Sequence, residues 1–159
     1  MDTKYKDEMK LENQLCFPIY AAARKVMNLY TPHLKPLGLT YTQYLVFLVL
    51  WEKDEITVGE ICDKLMLDNG TVSPLLKKLQ KDEFIEKKRS TEDDRVVLIN
   101  LTHKGRDLQK KAKDIPRSLA NCMGLSEENT QTFYKVLYDL LKQTVDIKLK
   151  KEKKYEKYI

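Results

Sequence analysis

Three cysteines, Cys16, Cys62 and Cys122, are the side chains of this sequence best suited to covalent chemistry. They are far apart and odd in number, which argues against a secreted disulfide framework. No CxxC occurs and the only histidines are His33 and His103, so no zinc site is expected. Cys16 stands just before Pro18, at the predicted N-terminal edge of a helix. Backbone N–H groups there favour an anion and would stabilise a thiolate. A thiolate attacks a peroxide oxygen to give a sulfenic acid, which can go on to a disulfide or a sulfenamide. Phe17 and Ile19 add apolar surface that would favour an organic peroxide over hydrogen peroxide. On position alone, a buried and inert cysteine is the simpler reading of Cys16. Cys62 falls on the apolar stripe of a predicted helix and reads as core.

A second group of side chains suits nucleic acid. Thr71, Ser73, Lys77 and Lys78 lie on the outer face of a predicted helix, and Arg89, Asp93 and Arg95 lie in a polar turn between two strand-like runs. The helix can enter a major groove, with Thr71, Ser73 and Lys77 facing bases or phosphates. Arg95 can reach an adjacent minor groove, with Asp93 expected to brace its guanidinium through a carboxylate fork. Bulk charge does not decide the matter. Lys77 to Arg95 holds seven bases and six acids, and the whole chain carries a net charge of +5. The same hairpin taken alone could be a plain surface loop.

These groups need elements to hold them. Pro18 to Tyr30 is predicted as a helix with Ile19, Ala23, Val26 and Tyr30 at helical spacing, broken by Pro32 and Pro36. Thr40 to Trp51 is predicted as the next, opened by a Thr40/Gln43 capping box. It has Tyr44, Phe47, Leu48 and Trp51 on one face and is apolar nearly all round, as a central core helix is. Thr57 to Leu67 follows, with a Thr57/Glu60 box and a stripe of Val58, Ile61, Cys62 and Leu65. Leu67 to Gly70 reads as a tight turn in which Gly70 supplies backbone freedom. Thr71 to Gln80 is a helix whose start Pro74 fixes, with Val72, Leu75, Leu76 and Leu79 inward. Phe84–Lys88 and Val96–Leu101 read as a β-hairpin. Thr102 to Lys113 restarts a helix that Pro116 can interrupt. Ser126 caps a last long helix with a stripe of Phe133, Val136, Leu137, Leu140, Leu141 and Val145, and a basic end, Lys148 to Lys157.

The chain of 159 residues is 42% apolar and 33% charged, with five Gly and five Pro, a balance that suits one soluble domain. No apolar run reaches the roughly 18 residues a bilayer span needs, and Met1 to Lys10 lacks a signal peptide's apolar stretch. A cytoplasmic address and no membrane partner are therefore expected. A short helix, a turn, a second helix and a charged hairpin define a winged helix-turn-helix. The expected fold is mainly α with a small β-hairpin, over one domain, 1–159. Residues 39–114 would form the winged DNA-binding region, and 11–38 and 115–159 would form dimerisation helices. Two-fold pairing through those ends would bury their stripes and set two recognition helices about one duplex turn apart.

Several stretches resemble the MarR regulators. Leu15-Cys16-Phe17-Pro18-Ile19-Tyr20-Ala21-Ala22 is similar to the N-terminal signature of the organic hydroperoxide (OhrR-type) branch, and Leu39 to Val46 to its next motif. Leu67 to Lys77 resembles the recognition-helix entry, and Arg89 to Arg95 the wing. The resemblance covers about residues 11 to 145. It implies a homodimeric repressor that binds palindromic double-stranded DNA and leaves it when organic hydroperoxides oxidise Cys16. It also implies that Tyr30 and Tyr41 hydrogen-bond the reactive sulfur across the dimer, and that Tyr20 joins them. Cys122 stands near a cysteine that, in some members, resolves the partner's sulfenic acid; others use a low-molecular-weight thiol. No cofactor and no enzyme activity are implied. The family often has serine where Asn69 stands, so Asn69 could alter DNA contacts. It often has proline at Thr42 and usually glycine-leucine near Glu83-Phe84. One other reading stays open, a repressor released by a small phenolic or drug-like ligand; a thiol peroxidase is disfavoured, because no peroxidase-like arginine-threonine site accompanies Cys16.

Overall fold

The computed structural model describes residues 7–91, 93, 95–122 and 124–155, with the side chains of 120, 121 and 145–155 left aside. Glu92 and Asp94 of the expected wing, and the side chains of Val145 and of the basic end, lie outside what is described. The chain divides into two compact units, one up to Cys122 and one from Met123.

In the first unit, α1 (Cys16–Leu34), α2 (Tyr41–Glu52), β1 (Ile56–Thr57), α3 (Val58–Leu65), α4 (Asn69–Lys81), β2 (Ile85–Arg89), β3 (Val97–Leu101), α5 (His103–Ala112) and α6 (Ile115–Cys122) follow in order. The strands form an antiparallel sheet, β1-β3-β2, with Ile85 opposite Leu101 and Arg89 opposite Val97. The hairpin was expected; β1 was not. Two residues, Ile56 and Thr57, pair with Ile99 and Leu98, too short a run to show any alternation in sequence.

Both predicted capping boxes are present. Gln43 N–H donates to Thr40 Oγ1 at 3.3 Å and Thr40 N–H to Gln43 Oε1 at 2.9 Å. Glu60 N–H donates to Thr57 Oγ1 at 3.1 Å and Thr57 N–H to Glu60 Oε2 at 2.8 Å. These close the N-terminal ends of α2 and α3. α2 is the spine of the core, burying Gln43, Tyr44, Val46, Phe47, Val49 and Leu50. Leu48, expected on the inner face, is exposed. Around α2 pack Ile61, Val72, Leu76, Leu79, Ile85, Ile99 and Leu108. Trp51 stacks on Phe47 and donates its indole N–H to Gly105 O at 3.1 Å. Phe47 in turn meets Phe84 edge-on, so one aromatic train joins α2 to the start of the hairpin.

Three boundaries differ from expectation. α1 runs through Pro32 to Leu34; Pro32 is exposed, so water can satisfy the carbonyl it orphans. The chain then turns in a short 3₁₀ stretch, Lys35–Leu37, and leaves it at Gly38 with φ 71°. α4 starts at Asn69, before the expected Thr71, and Pro74 lies inside it. The left-handed residue that ends α3 is Met66 (φ 54°), not Gly70. Gly70 has another use: a Cβ there would stand 3.0 Å from Asp68 Oδ1, the carboxylate that caps α4.

The second unit is a single helix, α7 (Glu127–Tyr155), capped by Ser126, whose Oγ accepts the Asn129 N–H at 3.2 Å. Its Phe133, Tyr134, Val136, Tyr138, Leu140 and Leu141 are exposed. No helix among the described residues is long and apolar enough to cross a membrane.

Candidate nucleic-acid interface and cysteine site

α3 and α4 form the helix pair, and the β2–β3 hairpin the wing. Asp68 sets the entry to α4. Its Oδ1 accepts the Thr71 N–H at 2.8 Å and its Oδ2 the Thr71 hydroxyl at 2.9 Å, and these bonds lower its pKa. Sequence reasoning placed Asp68 in a turn and missed this cap, although Asp-x-x-Thr is a recognisable N-cap spacing. Thr71 is exposed but its hydroxyl donor is already spent on Asp68. Ser73 is half-buried, with Oγ 3.5 Å from Asn69 Oδ1. Asn69 is exposed at the first position of α4, and the Cys62 thiol lies 3.9 Å from its Oδ1.

Lys77 and Lys78 are both exposed on α4, one turn beyond Ser73. Lys78 pairs with Asp82 at 3.1 Å, whereas Lys77 makes no ion pair among the described residues. Of the two, Lys77 is therefore the readier phosphate ligand.

Arg89, Asp93 and Arg95 are all exposed at the wing. The expected fork between Asp93 and the Arg95 guanidinium is not formed. Asp93 Oδ1 instead accepts the backbone N–H of Arg95 at 2.9 Å, and Asp93 O accepts Val96 N–H at 2.9 Å. A carboxylate satisfied by the turn's own backbone is an Asx-type turn. It shapes the tip and leaves the guanidinium unpaired with Asp93.

Cys16 is the first residue of α1 and is exposed. Leu15 precedes it in helical conformation and offers no side-chain cap. Tyr20, one turn on, is also exposed, with the Arg24 guanidinium carbon 5.6 Å from its ring centre. Tyr30 and Tyr41 are brought together, ring centres 4.7 Å apart, and Tyr44 adjoins Tyr30 at 5.9 Å. Burial first, and then the neighbouring Tyr30, raise the Tyr41 pKa, so its phenol stays a donor. Cys16 and Tyr30 are not brought together within one chain. Fourteen residues of helix separate them, about 21 Å at 1.5 Å per residue.

Cys122 ends α6 and is exposed; α6 packs on α1. Cys62 is half-buried against the core, and burial together with the charges of Asp63 and Asp68 raises its pKa. A protonated, half-covered thiol is a poor nucleophile, in keeping with the core reading. An open cleft of about 410 Å³ lies between α1 and the start of α2, lined in part by Met27, Leu34, Leu39 and Tyr41.

The described residues match known proteins in sequence and fold. The family model for transcriptional regulator SarA/Rot matches residues 28–112. The chain is 45% identical over 141 residues to the organic hydroperoxide resistance transcriptional regulator of Bacillus subtilis (strain 168), covering 89% of this chain and 95% of that relative. It is similar to the structure of reduced AbfR bound to DNA, with a TM-score of 0.71, 33% identity, and coverage of 89% of this chain and 99% of that one. It is also similar to the disulfide-formed structure of AbfR, with a TM-score of 0.60, 30% identity, and coverage of 89% and 99%. The helix pair, the wing and these similarities agree: the chain belongs to the MarR-like, SarA/Rot-type family of DNA-binding transcriptional regulators.

Proposed function

We propose that this regulator is a homodimeric repressor that holds a palindromic operator while Cys16 is reduced and releases it when an organic hydroperoxide oxidises that sulfur. The observation that carries the reading is the split sensor. An exposed Cys16 begins α1, and the Tyr30–Tyr41 pair sits near its far end. A second copy would close the two halves into one site. Antiparallel pairing of two α1 helices about Ala23 would set Cys16 of one protomer level with Tyr30 of its partner. A small residue, Ala23, stands where the helices would cross. The exposed Ile19 and Met27, which flank that face of α1, would be covered in the same step.

In the reaction, the Cys16 sulfur attacks the distal oxygen of the hydroperoxide. The O–O bond breaks as the S–O bond forms. Sulfur gives up two electrons, and the alkoxide leaves and takes a proton to become an alcohol. The resulting sulfenic acid condenses with a thiol to a disulfide, with loss of water. That thiol is Cys122 of the partner protomer in this reading, with a low-molecular-weight thiol as the competitor. Loss of the tyrosine hydrogen bonds would move α1 and respace the two winged units, so that their α4 helices no longer match the grooves. The relative is named for organic hydroperoxide resistance, and AbfR has been solved both reduced on DNA and as a disulfide. These names support the reading.

The test is DNA release from the full-length protein by cumene hydroperoxide. Cys16→Ser should stay bound, and mass spectrometry should find added oxygen or a disulfide on Cys16 in the wild type. Release of Cys16→Ser by peroxide would reject the mechanism. A non-reducing gel decides the resolving thiol: a cross-linked dimer absent in Cys122→Ser supports Cys122, and a monomer-only band removes it. The open cleft beside Tyr41 favours one other reading, release by a small phenolic ligand. That ligand would act equally well on Cys16→Ser.

A further inference from the structure

The turn after α2 carries two carboxylates that neither groove reading nor sulfur chemistry uses. Asp54 Oδ1 accepts the backbone N–H of Leu101 at 2.9 Å, and Asp54 Oδ2 accepts Arg106 Nη1 at 2.7 Å. Glu55, held at φ 59°, accepts Asn100 Nδ2 on Oε1 at 3.0 Å. Asn100 and Leu101 are the last two residues of β3, and each is only 3% exposed. Asn100 Oδ1 has no partner among the described residues, so its side chain is held through the amide nitrogen.

We propose that Asp54 and Glu55 are positioning residues for the wing. They clamp the root of β3 to the C-terminal end of α2 and so fix where the tip delivers Arg95. The inference rests on the reading of the wing as a DNA contact. The need for a clamp follows from the sheet. β1 gives β3 only two paired residues on that edge, so the hairpin has little else there to stop it pivoting. Arg95 lies six residues from Leu101, about 20 Å along an extended strand, so a tilt of about 10° at the root moves the tip about 3.5 Å. That displacement exceeds the tolerance of a groove hydrogen bond.

The two links of Asp54 are unequal. The Arg106 side chain is 57% exposed and Asp54 26%, so their ion pair is screened and weak. The bond to the buried Leu101 N–H is sheltered, and the same oxygen also accepts the Glu55 N–H at 3.0 Å, which holds the carboxylate in the turn. Asp54→Asn keeps an acceptor for Leu101 and loses only the ion pair. Asp54→Ala loses both.

The experiment uses full-length protein and a duplex that the wild type selects from a random-sequence pool. Affinity is measured against salt, together with a hydroxyl-radical footprint. Asp54→Ala should weaken binding about tenfold, flatten the salt dependence by about one ion per wing, and erase protection at the outer flanks while leaving the central protection of α4. Arg95→Ala should erase the same flanks. Asp54→Asn should keep them and lose less than about threefold in affinity, since only a screened pair has gone. Flanks that vanish in Arg95→Ala but persist in folded Asp54→Ala would overturn the clamp and leave the wing reading standing. Flanks unmoved by Arg95→Ala would overturn both. Circular dichroism checks the fold. If Asp54→Ala does not fold, Glu55→Ala at an exposed position carries the test: weaker flank protection supports the clamp, and unchanged flanks overturn it.

Discussion

The middle of the chain and its helical ends use apolar side chains in opposite ways. From α2 to α5 they are consumed internally: α2 alone buries five of them, and α3, α4, β2, β3 and α5 close around it. α1 is longer than α2 yet buries only Leu34, and α7 shows an exposed row from Phe133 to Leu141. A helix whose apolar stripe faces water is unfinished as a monomer. The winged core is thus complete in itself, while α1 and α7 each leave apolar side chains exposed. In the proposed dimer, that division would let the Cys16 end change without disturbing the winged core.

The sharpest way to break the comparison is to attack the self-sufficient half where it has no slack. A Cβ on Gly105 would lie 2.3 Å from the Phe84 carbonyl oxygen and 3.0 Å from Leu101 Cδ2. Backbone, not a flexible tip, is in the way. Thr102 fixes that carbonyl, donating its N–H at 3.1 Å and its hydroxyl at 3.1 Å. Gly105→Ala should cost about 3 kcal/mol in urea denaturation, at the upper end of overpacking effects. A loss under about 1 kcal/mol would mean that the joint between α5 and the hairpin yields, and that the middle is softer than its burial implies. Phe133→Ser probes the other half. It should leave the unfolding of the monomer within about 0.5 kcal/mol. It should also weaken self-association at least about tenfold, or about 1.4 kcal/mol, by sedimentation. Unchanged association would take α7 out of the dimer interface.

A smaller effect sharpens the picture inside the finished half. Glu83 is left-handed, at φ 59°, between α4 and β2. A side chain there costs about 1–2 kcal/mol, against about 0.5–1 kcal/mol of chain entropy lost by glycine. Glu83→Gly should therefore gain about 0.5 kcal/mol, read as a higher urea midpoint.

What the sequence revealed follows the same division. Capping boxes at Thr40 and Thr57 were legible because a cap is a local exchange of hydrogen bonds three residues apart. The stripes of α3 and α4 were legible because period sets which face is buried. The resembling family's usual glycine-leucine near Glu83-Phe84 was legible only as a departure, and the left-handed φ of Glu83 gives it a backbone meaning. What escaped were links between distant residues. Asp54 and Leu101 are far apart in sequence, and nothing at Asp54 signals its partner. Gly105 reads as an ordinary weak spot in a helix until the Phe84 carbonyl arrives beside it. The Asp93 fork failed because Asp93 takes a backbone N–H two residues on, in a local turn, in place of the guanidinium. The proposed Cys16–tyrosine site comes only from family resemblance, since no spacing within one chain joins groups about 21 Å apart along a helix.

The mildest probe concerns charge in the finished half. Glu60 closes the cap of α3, and its pKa falls from 4.5 to about 2, chiefly because its carboxylate accepts the Thr57 N–H, then the Lys53 ammonium and the Thr57 hydroxyl. A carboxyl whose folded pKa is depressed stabilises fully above its unfolded pKa. That contribution fades as pH falls from about 4.5 towards about 2, where the folded carboxylate is itself protonated. Glu60→Gln keeps the shape of the box without the charge. Wild type should be the more stable at neutral pH, and the difference in urea midpoint should close across that window. The group is exposed, so added salt should shrink the part owed to Lys53 and spare the part owed to the Thr57 N–H. A difference that stays level from pH 7 to pH 2 would mean that the box works by geometry alone, and that even the self-sufficient half draws no stability from this charge.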